Sequence, residues 1–501
     1  MRAIRAVAGL LMVALVAVGL VGETAGAAPV PVLQWADCGG GFQCATATVP
    51  MDYRKPQGSK VELALIRKQA LDQAHRIGSL FMNPGGPGGS GVEFVRTAPP
   101  PAFQLLSKFD VIGFDPCGVG ASKPGVDCGP GSTQVTEPIR FPRPPGIDQQ
   151  AVVREVKERG ERCVKKSGDI LAHLSTANVA RDLDLLRAAV GDSKLNYYGL
   201  SYGTVIGATY ASMYPGKGRA LLLDSPVDAQ TYYDRPFEYG REQAVALEDV
   251  LDRFFAACTA ARCGFGGSDP ETAFDALVKK LNATPLPTGD PQHPAPVTGD
   301  EVLMNAVGFV YRQADWRYLA DALTKLEAGD PSAMVELTGA NGGFVAAAGS
   351  AVLSVDQQFS HKLSEYAAED SHVYGLSRNF WFSYGTPMLI HGLWPVEDHG
   401  AFRGKIRNKS GAQILVIGGR YDPATPYNWS ERLTTDLGNA RLLTFRSTGH
   451  GAVPTFNACV LGALTAYFET LALPTVGAEC VDNRPPFSTA AAAAPARWGS
   501  Q

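Results

Sequence analysis

One serine in the sequence has neighbours that suit it for nucleophilic chemistry. It is Ser201, in Gly199-Leu200-Ser201-Tyr202-Gly203, a Gly-x-Ser-x-Gly pattern. A strand pattern precedes it and a helix pattern follows, so we expect a sharp turn on which the hydroxyl projects above a sheet. The glycines permit the close backbone approach that such a turn needs. The pentapeptide alone is also typical of a plain glycine-rich turn, but in this context we interpret Ser201 as a nucleophile.

A serine attacks efficiently only when a histidine removes its proton and a carboxylate fixes the tautomer of that histidine. Asp422, in GGRYDPATP, directly follows the apolar run 414–417, and His450, in STGHG, follows the run 440–445. Taken singly, Asp422 is consistent with a turn-forming Asp-Pro and His450 with a loop histidine. The chain order of serine, aspartate and histidine is that of an α/β-hydrolase, so we predict a triad of these three residues.

The oxyanion formed during acyl transfer needs preorganised N–H donors. We expect one from the backbone of Tyr202 and another from the loop NPGGPGG at 83–89, at Gly85 or Gly86. A phosphate-binding loop is the alternative reading of these glycines. Against it, prolines interrupt the run of N–H donors and no Lys-Ser/Thr follows.

Strand and helix patterns alternate around these residues. Predicted strands lie at 61–68, 109–115, 220–227, 412–419 and 440–445, and two more begin at 77 and at 195. Predicted helices lie at 178–191, directly after Ser201, and near 455–471. This alternation predicts an α/β fold, a mainly parallel sheet with helices on both faces. From 228 to 400 helical periodicity replaces the strand pattern, as in 241–258. We therefore predict core parts at 28–227 and 401–487, a helical cap insertion at 228–400 and a low-complexity, disordered tail at 488–501.

The first 27 residues have the features of a secretory signal peptide. Arg2 and Arg5 precede an apolar run, and small residues precede a cleavage site after Ala27. A retained membrane anchor is the alternative, but the apolar run is shorter than the roughly 20 residues a span needs. We predict a secreted, extracellular or cell-envelope protein without an integral span after cleavage.

Charge and histidine spacing argue against other classes of protein. A net charge of -4 and a pI near 6.1 do not suit a nucleic-acid partner. His361, His372 and His399 show no metal-ligand spacing, there is no paired Cys-x-x-Cys, and no nucleotide fingerprint occurs. We expect neither a metal nor a cofactor, and the sequence leaves the oligomeric state open.

Nine cysteines follow the predicted cleavage site, and in an oxidising compartment most should pair. Pairing of Cys117 with Cys128, which would free Cys163, is a competitor that spacing does not exclude. Local spacing favours Cys38 with Cys44, Cys128 with Cys163, Cys258 with Cys263, and Cys459 with Cys480. That pairing leaves Cys117 over.

Five motifs together resemble a known family: MNPGGPGGSG, FDPxGVGxS, GLSYGT, GGRYDPATP and GHG. They are similar to those of the secreted bacterial tripeptidyl aminopeptidase-like α/β-hydrolases, relatives of prolyl aminopeptidases, over nearly the whole mature chain. The resemblance implies a serine exopeptidase with a helical cap that releases short peptides, tripeptides above all, from the N-termini of peptide substrates. It also implies that Thr425 lies near the triad.

Two departures from the family pattern stand out. Cys117 occupies a position where the family usually has arginine, and Ser354 and His391 stand where it often has two cap cysteines. Because the Ser201 turn already claims His450, we interpret Cys117 as a free or weakly paired thiol near the rim of the site rather than as a nucleophile.

An aminopeptidase binds a free α-ammonium, which favours a carboxylate at the mouth of the cap. Glu238, Glu242 and Glu248 are the candidates, although each also fits an ordinary solvated helix position. Two other functions remain compatible with the motifs, since fold and triad do not specify the acyl group. They are an esterase or lipase, and a catalytically inactive hydrolase that serves as a surface binding protein.

Overall fold

The structure is a computed structural model that describes residues 28–129, 137–340 and 347–487. The signal peptide predicted at 1–27 and the tail predicted at 488–501 lie outside these residues. In the ranges described, none of the helices combines the length and the hydropathy that a bilayer span requires.

A single ten-stranded sheet runs through the described chain, in the order β1-β2-β3-β5-β4-β6-β7-β8-β9-β10. Strands β4 to β10 are parallel, and β1 to β3 form an antiparallel edge. The predicted, mainly parallel sheet is confirmed, whereas β1, β2 and β10 were not predicted. The strands are β1 (Ala36–Asp37), β2 (Gln43–Pro50), β3 (Lys60–Lys68), β4 (Gly78–Asn83), β5 (Phe109–Phe114), β6 (Leu195–Leu200), β7 (Gly218–Asp224), β8 (Ile414–Tyr421), β9 (Ala440–Thr448) and β10 (Glu479–Val481).

Helices cover both faces of the sheet and fill the long segment between β7 and β8. In order, they are α1 (Gly91–Arg96), α2 (Pro100–Leu105), α3 (Gln149–Ser167), α4 (Thr176–Ala189), α5 (Gly203–Met213), α6 (Ala229–Asp234), α7 (Pro236–Ala261), α8 (Pro270–Ala283), α9 (Gly299–Val310), α10 (Trp316–Glu327), α11 (Ser332–Ala340), α12 (Ala347–Asp356), α13 (Leu363–Leu376), α14 (Leu389–Gly392), α15 (Tyr427–Leu437) and α16 (Ala458–Thr470).

Strand alternation divides the core into two layers. In β8, Ile414 and Val416 face one layer, whereas Leu415 and Ile417 face the other. Successive side chains of a strand point to opposite faces, so a strand covered by helices on both sides is apolar throughout. Helices α4, α5 and α15 pack on the first face, and α1, α2 and α16 on the second.

A third apolar cluster forms the interior of the cap, mainly from α7 to α11 and α13. Its membership does not follow the boundaries at 228 and 400. Val152, Val153 and Val156 of α3, which precede 228, pack against this cap cluster. Helices α6 and α12, which lie inside the predicted insertion, contribute to the cluster beneath the sheet instead. Those domain boundaries therefore remain predictions.

Four disulfides occur in the described chain, and Cys117 is a free, buried thiol. They tie the β1–β2 turn, the loop after β5 to α3, the end of α7, and α16 to β10. The pairs are those that local spacing favoured: Cys38–Cys44, Cys128–Cys163, Cys258–Cys263 and Cys459–Cys480.

Ser354 and His391, the two positions at which the resemblance suggested a missing cap disulfide, are in contact. Ser354 Oγ lies 2.9 Å from His391 Nδ1 and donates to the Ser350 carbonyl at 2.7 Å. The imidazole also stacks on Phe359, with ring centroids 5.1 Å apart. A hydrogen bond thus joins α12 to α14, and burial lowers the pKa of His391 to about 4.

This lowered pKa predicts a pH-dependent cap. The unfolded chain protonates His391 below about pH 6.5 whereas the folded chain resists protonation down to about pH 4, so its stabilising contribution is complete above that window and is lost as the pH falls through it. Urea unfolding at pH 7.5 and 4.5 should show that wild type loses up to about 2 kcal/mol more than His391→Asn. Equal losses in the two proteins would contradict this expectation.

Candidate active site

Ser201 lies on the turn between β6 and α5 in a left-handed conformation, with φ of 57°. Strain of this kind persists only where surrounding structure enforces it. The neighbouring glycines allow the turn: a Cβ on Gly199 would lie 2.4 Å from the Gly203 carbonyl oxygen, and one on Gly203 would lie 2.9 Å from that of Asn83. The sharp strand-to-helix turn expected at Ser201 is present.

His450 and Asp422 form a direct pair at the ends of β9 and β8. His450 Nδ1 lies 2.9 and 3.0 Å from the two carboxylate oxygens of Asp422. The backbone N–H groups of Ala424 and Thr425 donate to Asp422 Oδ1, both at 2.9 Å, so the buried carboxylate is held in place. Thr425 Oγ1 is 3.4 Å from the same imidazole nitrogen, which places Thr425 beside the pair.

The surroundings of His450 raise the pKa of its imidazole. Burial by itself lowers the pKa of this imidazole, but the charge and hydrogen bond of Asp422, with the charge of Asp224, outweigh burial and raise it. A paired carboxylate stabilises the imidazolium that forms when histidine accepts a proton. The arrangement can therefore perform general base and then general acid chemistry.

The Ser201 turn and the loop that carries His450 are both hydrogen-bonded to residues at the end of β7. No hydrogen bond joins the Ser201 hydroxyl to the imidazole in the described structure. The Ser201 N–H donates to the Asp224 carbonyl at 3.0 Å, and the Gly451 N–H donates to Ser225 Oγ at 2.8 Å. Catalytic hydrogen bonds between nucleophile and base often tighten only in the complex with substrate.

Gly85 packs directly against the serine turn. Its φ is 99°, and a Cβ there would lie 2.6 Å from the Leu200 carbonyl oxygen and 3.0 Å from the Tyr202 nitrogen. The Gly85 N–H already donates to Asn83 Oδ1 at 2.9 Å. Gly86 is next in the loop, and its N–H has no partner among the described residues. Of the two glycines expected to donate, Gly86 is thus the one whose N–H is available.

Three cap residues that the sequence patterns did not indicate reach this site. The backbone N–H of His450 donates to the backbone carbonyl of Tyr311 at 2.7 Å, and the Tyr311 ring packs edge-on to the imidazole, with ring centroids 5.5 Å apart. Gln243 of α7 donates to the Ala424 carbonyl at 2.7 Å and accepts from the Tyr384 hydroxyl at 3.0 Å. No local signal marks these residues, because only the packing of the cap brings them to the triad.

A pocket of about 80 Å³ opens beside His450, between the cap and the segment after β10. Both arginines in its lining are paired with an aspartate: Arg484 with Asp482, which also lines the pocket, and Arg312 with Asp315, which does not. Phe487 closes one side and packs against Phe254 and Trp316 of the cap. Within the described ranges, no cluster of three or more His, Cys, Asp or Glu side chains is placed to hold a metal ion.

A buried hydrogen-bond network links Tyr202 to α12. The Tyr202 hydroxyl contacts Thr176 Oγ1, and the backbone N–H of Thr176 donates to Asp356 Oδ1 at 3.0 Å. The Tyr232 hydroxyl donates to the other oxygen of Asp356, also at 3.0 Å. Burial raises the pKa of Asp356 to about 7. The network ties the first turn of α5 to the end of α12.

The three glutamates expected to bind a substrate ammonium all have partners within the protein. Glu238 pairs with Arg235 at 3.2 Å. Glu242 pairs with Arg432 and accepts from the Trp429 indole. Glu248 accepts from Ser377 at 2.7 Å and from the Asn379 side chain at 2.6 Å, and burial raises its pKa. Glu238 is partly exposed and fits the ordinary solvated helix position of the alternative reading, whereas Glu242 and Glu248 are held by internal partners. The ammonium role of all three stays a prediction.

Known proteins match this chain over most of its length. A family model of the alpha/beta hydrolase fold matches residues 78–319, and one described as TAP-like protein matches residues 387–480. Serine protease Hip1 of Mycobacterium tuberculosis is 32% identical over 94% of this chain and 96% of its own length. A tripeptidyl aminopeptidase of Streptomyces coelicolor is 30% identical over 91% of this chain and 87% of its own length.

The chain belongs to the tripeptidyl aminopeptidase-like family of α/β-hydrolases. The family resemblance and the fold class inferred from the motifs are thus confirmed, and the enzyme is a serine peptidase. The family also has esterase relatives: carboxylesterase B of Mycobacterium tuberculosis is 31% identical over 87% of this chain and 86% of its own length.

Cys117, the departure from this family's usual arginine, is not at the rim of the site as expected. The side chain is 6% exposed and belongs to the core cluster beneath the sheet. Its loop is fastened inwards by Asp115, which accepts hydrogen bonds from Ser90 Oγ at 2.6 Å and the Ala121 N–H at 2.8 Å. Burial strongly raises the pKa of the Cys117 thiol, which keeps it protonated and unreactive.

We therefore expect Cys117→Ser to retain most of the activity and to lose about 1–2 kcal/mol of unfolding free energy, because a hydroxyl replaces an apolar thiol in the core. Steady-state kinetics and urea unfolding measure the two effects. With disulfides intact, a thiol reagent should react with the chain only after unfolding. Rapid reaction of the native protein, or complete loss of activity in a folded variant, would contradict this placement.

Proposed function

We propose that this peptidase is a secreted serine exopeptidase that releases short peptides, tripeptides in the first instance, from the N-termini of peptide substrates through an acyl-enzyme on Ser201. The observation that carries the proposal is the Asp422–His450 contact of 2.9 Å, at the sheet edge where Ser201 also lies. The tripeptidyl aminopeptidase relative supports the choice of acyl group.

In the proposed reaction, Ser201 Oγ attacks the scissile carbonyl carbon and passes its proton to His450 Nε2. The tetrahedral intermediate collapses, the C–N bond breaks, and the leaving amine takes that proton from His450. Water then attacks the ester carbonyl and gives a proton to His450. The bond between the acyl carbon and Ser201 Oγ breaks, Ser201 takes that proton back, and the free peptide acid leaves. Asp422 fixes the tautomer in which Nε2 faces the serine and stabilises the imidazolium.

Two backbone groups are proposed to stabilise the oxyanion: the N–H of Tyr202 and that of Gly86. The contact of Gly85 with the serine turn supports this assignment, since it holds the glycine loop next to Ser201. Each donor of this kind contributes about 3 kcal/mol to lowering the activation barrier. The buried link from Tyr202 to Asp356 would keep the first donor still as charge develops.

Secretion is supported by the N-terminal pattern and by the cysteines. Four disulfides in one chain are typical of an oxidising compartment outside the cytosol. N-terminal sequencing of protein recovered from the culture medium would test cleavage after Ala27.

Replacing the proposed nucleophile tests the mechanism. Ser201→Ala should lower kcat on a tripeptidyl anilide by at least about 10^4-fold, because no other group forms the acyl-enzyme. A fluorophosphonate probe should label wild type and not the variant, as read by intact-protein mass spectrometry. Ser360→Ala, in the cap, is the matched control and should keep normal labelling and turnover. Undiminished hydrolysis by Ser201→Ala would end the proposal.

An esterase is the second candidate, favoured by the carboxylesterase relative. A panel of tripeptidyl, dipeptidyl and single-residue anilides beside short acyl esters separates the two by kcat/KM. We expect the tripeptidyl anilide to lead and an N-acetylated tripeptidyl anilide to be cleaved far more slowly, because an exopeptidase selects the free ammonium. Equal rates on free and acetylated peptides would remove the ammonium site, and a preference for acyl esters would favour the esterase.

A further inference from the structure

Asp224, the last residue of β7, stands between the two loops that carry the proposed nucleophile and base. It is 0% exposed. Its backbone carbonyl accepts the backbone N–H of Ser201 at 3.0 Å, so a hydrogen bond holds the serine turn to this residue. The register of the sheet produces this contact, because Leu200 at the end of β6 pairs directly with Asp224.

The carboxylate of the same residue holds the loop that follows His450. Oδ1 accepts the Ala452 N–H and Oδ2 accepts the Val453 N–H, both at 2.9 Å. The next residue, Ser225, accepts the Gly451 N–H with its hydroxyl at 2.8 Å. Three successive N–H groups directly after His450 therefore end on two adjacent side chains.

Asp224 and Ser225 together form a clamp on the loop after His450, and the backbone of this clamp is strained at Ser225. Ser225 adopts a φ of 48°, in a region that residues other than glycine rarely occupy. Strain of this kind is concentrated at functional sites. From below, the Tyr198 hydroxyl of β6 donates to Asp224 Oδ2 at 2.9 Å. The carboxylate thus has three donors, each from an element that carries or borders the site.

We propose that Asp224 is a positioning residue for the reaction, which holds the Ser201 turn and the His450 loop to one strand end and adds a second negative charge behind the imidazolium. The inference rests on the proposed roles of Ser201 and His450. It adds a residue that touches neither substrate nor reacting atoms but sets the position of both partners.

The electrostatic part follows from the groups that face His450. Asp422 approaches from the loop after β8, Asp224 from β7, and the Tyr311 ring from the cap. Arg312, Asp482 and Arg484 line the neighbouring pocket, with each arginine already paired to an aspartate. Burial raises the pKa of Asp224, while its N–H donors and Tyr198 oppose that rise because they favour the carboxylate form.

The test compares three variants by kcat/KM against pH, with active sites counted by fluorophosphonate titration. Asp224→Asn keeps the shape but loses the charge and one N–H acceptor. Ser225→Ala loses an uncharged acceptor from the same clamp. Asp110→Asn is the matched control. Asp110 is buried near the amino end of β5, whereas the site lies at the carboxyl ends of the strands, and it accepts the Ala70 N–H at 2.9 Å.

We expect Asp224→Asn to lower kcat per titrated site by about 10- to 100-fold, the size of effect caused by small misplacement of catalytic groups. The acid limb of its kcat/KM profile, where activity falls as His450 is protonated, should move to lower pH by about half a unit. The reason is that one charge that favours the imidazolium is gone. Ser225→Ala should lower kcat without moving the limb. Asp110→Asn should reduce stability only, with normal kcat per site and a normal limb.

A folded Asp224→Asn enzyme with wild-type kcat per site and an unmoved acid limb would overturn the proposal. If that variant does not fold, Ser225→Ala decides: wild-type kcat per site would overturn the positioning role. Failure of the proposed function shows separately, as turnover that persists in Ser201→Ala whatever the Asp224 variants do.

Discussion

The register between neighbouring parallel strands is the constraint on which the site depends. Tyr421 pairs with Thr448 across β8 and β9, so Asp422, directly after β8, and His450, two residues after the end of β9, meet at the carboxyl ends of these strands. The Asp422–His450 contact is therefore a consequence of backbone pairing. Parallel strands align their carboxyl ends at one edge, where α/β folds place their ligand sites. Because the sheet is buried on both faces, a slip of one residue would invert every core side chain, which makes the register costly to change.

Residues of the predicted cap contact the proposed catalytic residues directly. A cap carbonyl, that of Tyr311, accepts the His450 N–H, and Gln243 holds the carbonyl of Ala424 in the acid loop. On the other side, Asp356 of α12 reaches Tyr202 through Thr176. The Thr176 bonds are buried and the Gln243 bond is partly buried, and an unpaired partner is expensive there, so the positions of these helices and of the proposed triad depend on one another. Changes in the cap are thus expected to alter turnover as well as substrate choice.

Local patterns were enough to predict the serine turn, the parallel core and the contact between Asp422 and His450. A strand, a turn and a helix are encoded by residues close in the chain, and chain order in a known fold then limits where acid and base can stand. The same reasoning placed Cys117 at the rim, because a position in a loop does not reveal whether the side chain is buried. In the structure Cys117 is buried, and Asp115 of the same loop is hydrogen-bonded to Ser90. It also missed β1, β2 and β10, three strands near the two ends of the sheet order, whose place is decided by their pairing partners.

By itself, the sequence determined where the candidate chemical groups stand: a serine on a glycine turn, an aspartate and a histidine after later strands, and cysteines spaced for local pairing. Only the tertiary structure decided which groups support them. Asp224 gives no sign in the sequence of a role beyond ending a strand, yet folding brings the N–H groups of the three residues after His450 onto it and Ser225. Motifs record interactions between chain neighbours, whereas positioning depends on contacts between residues more than two hundred positions apart, which exist only after the sheet has formed.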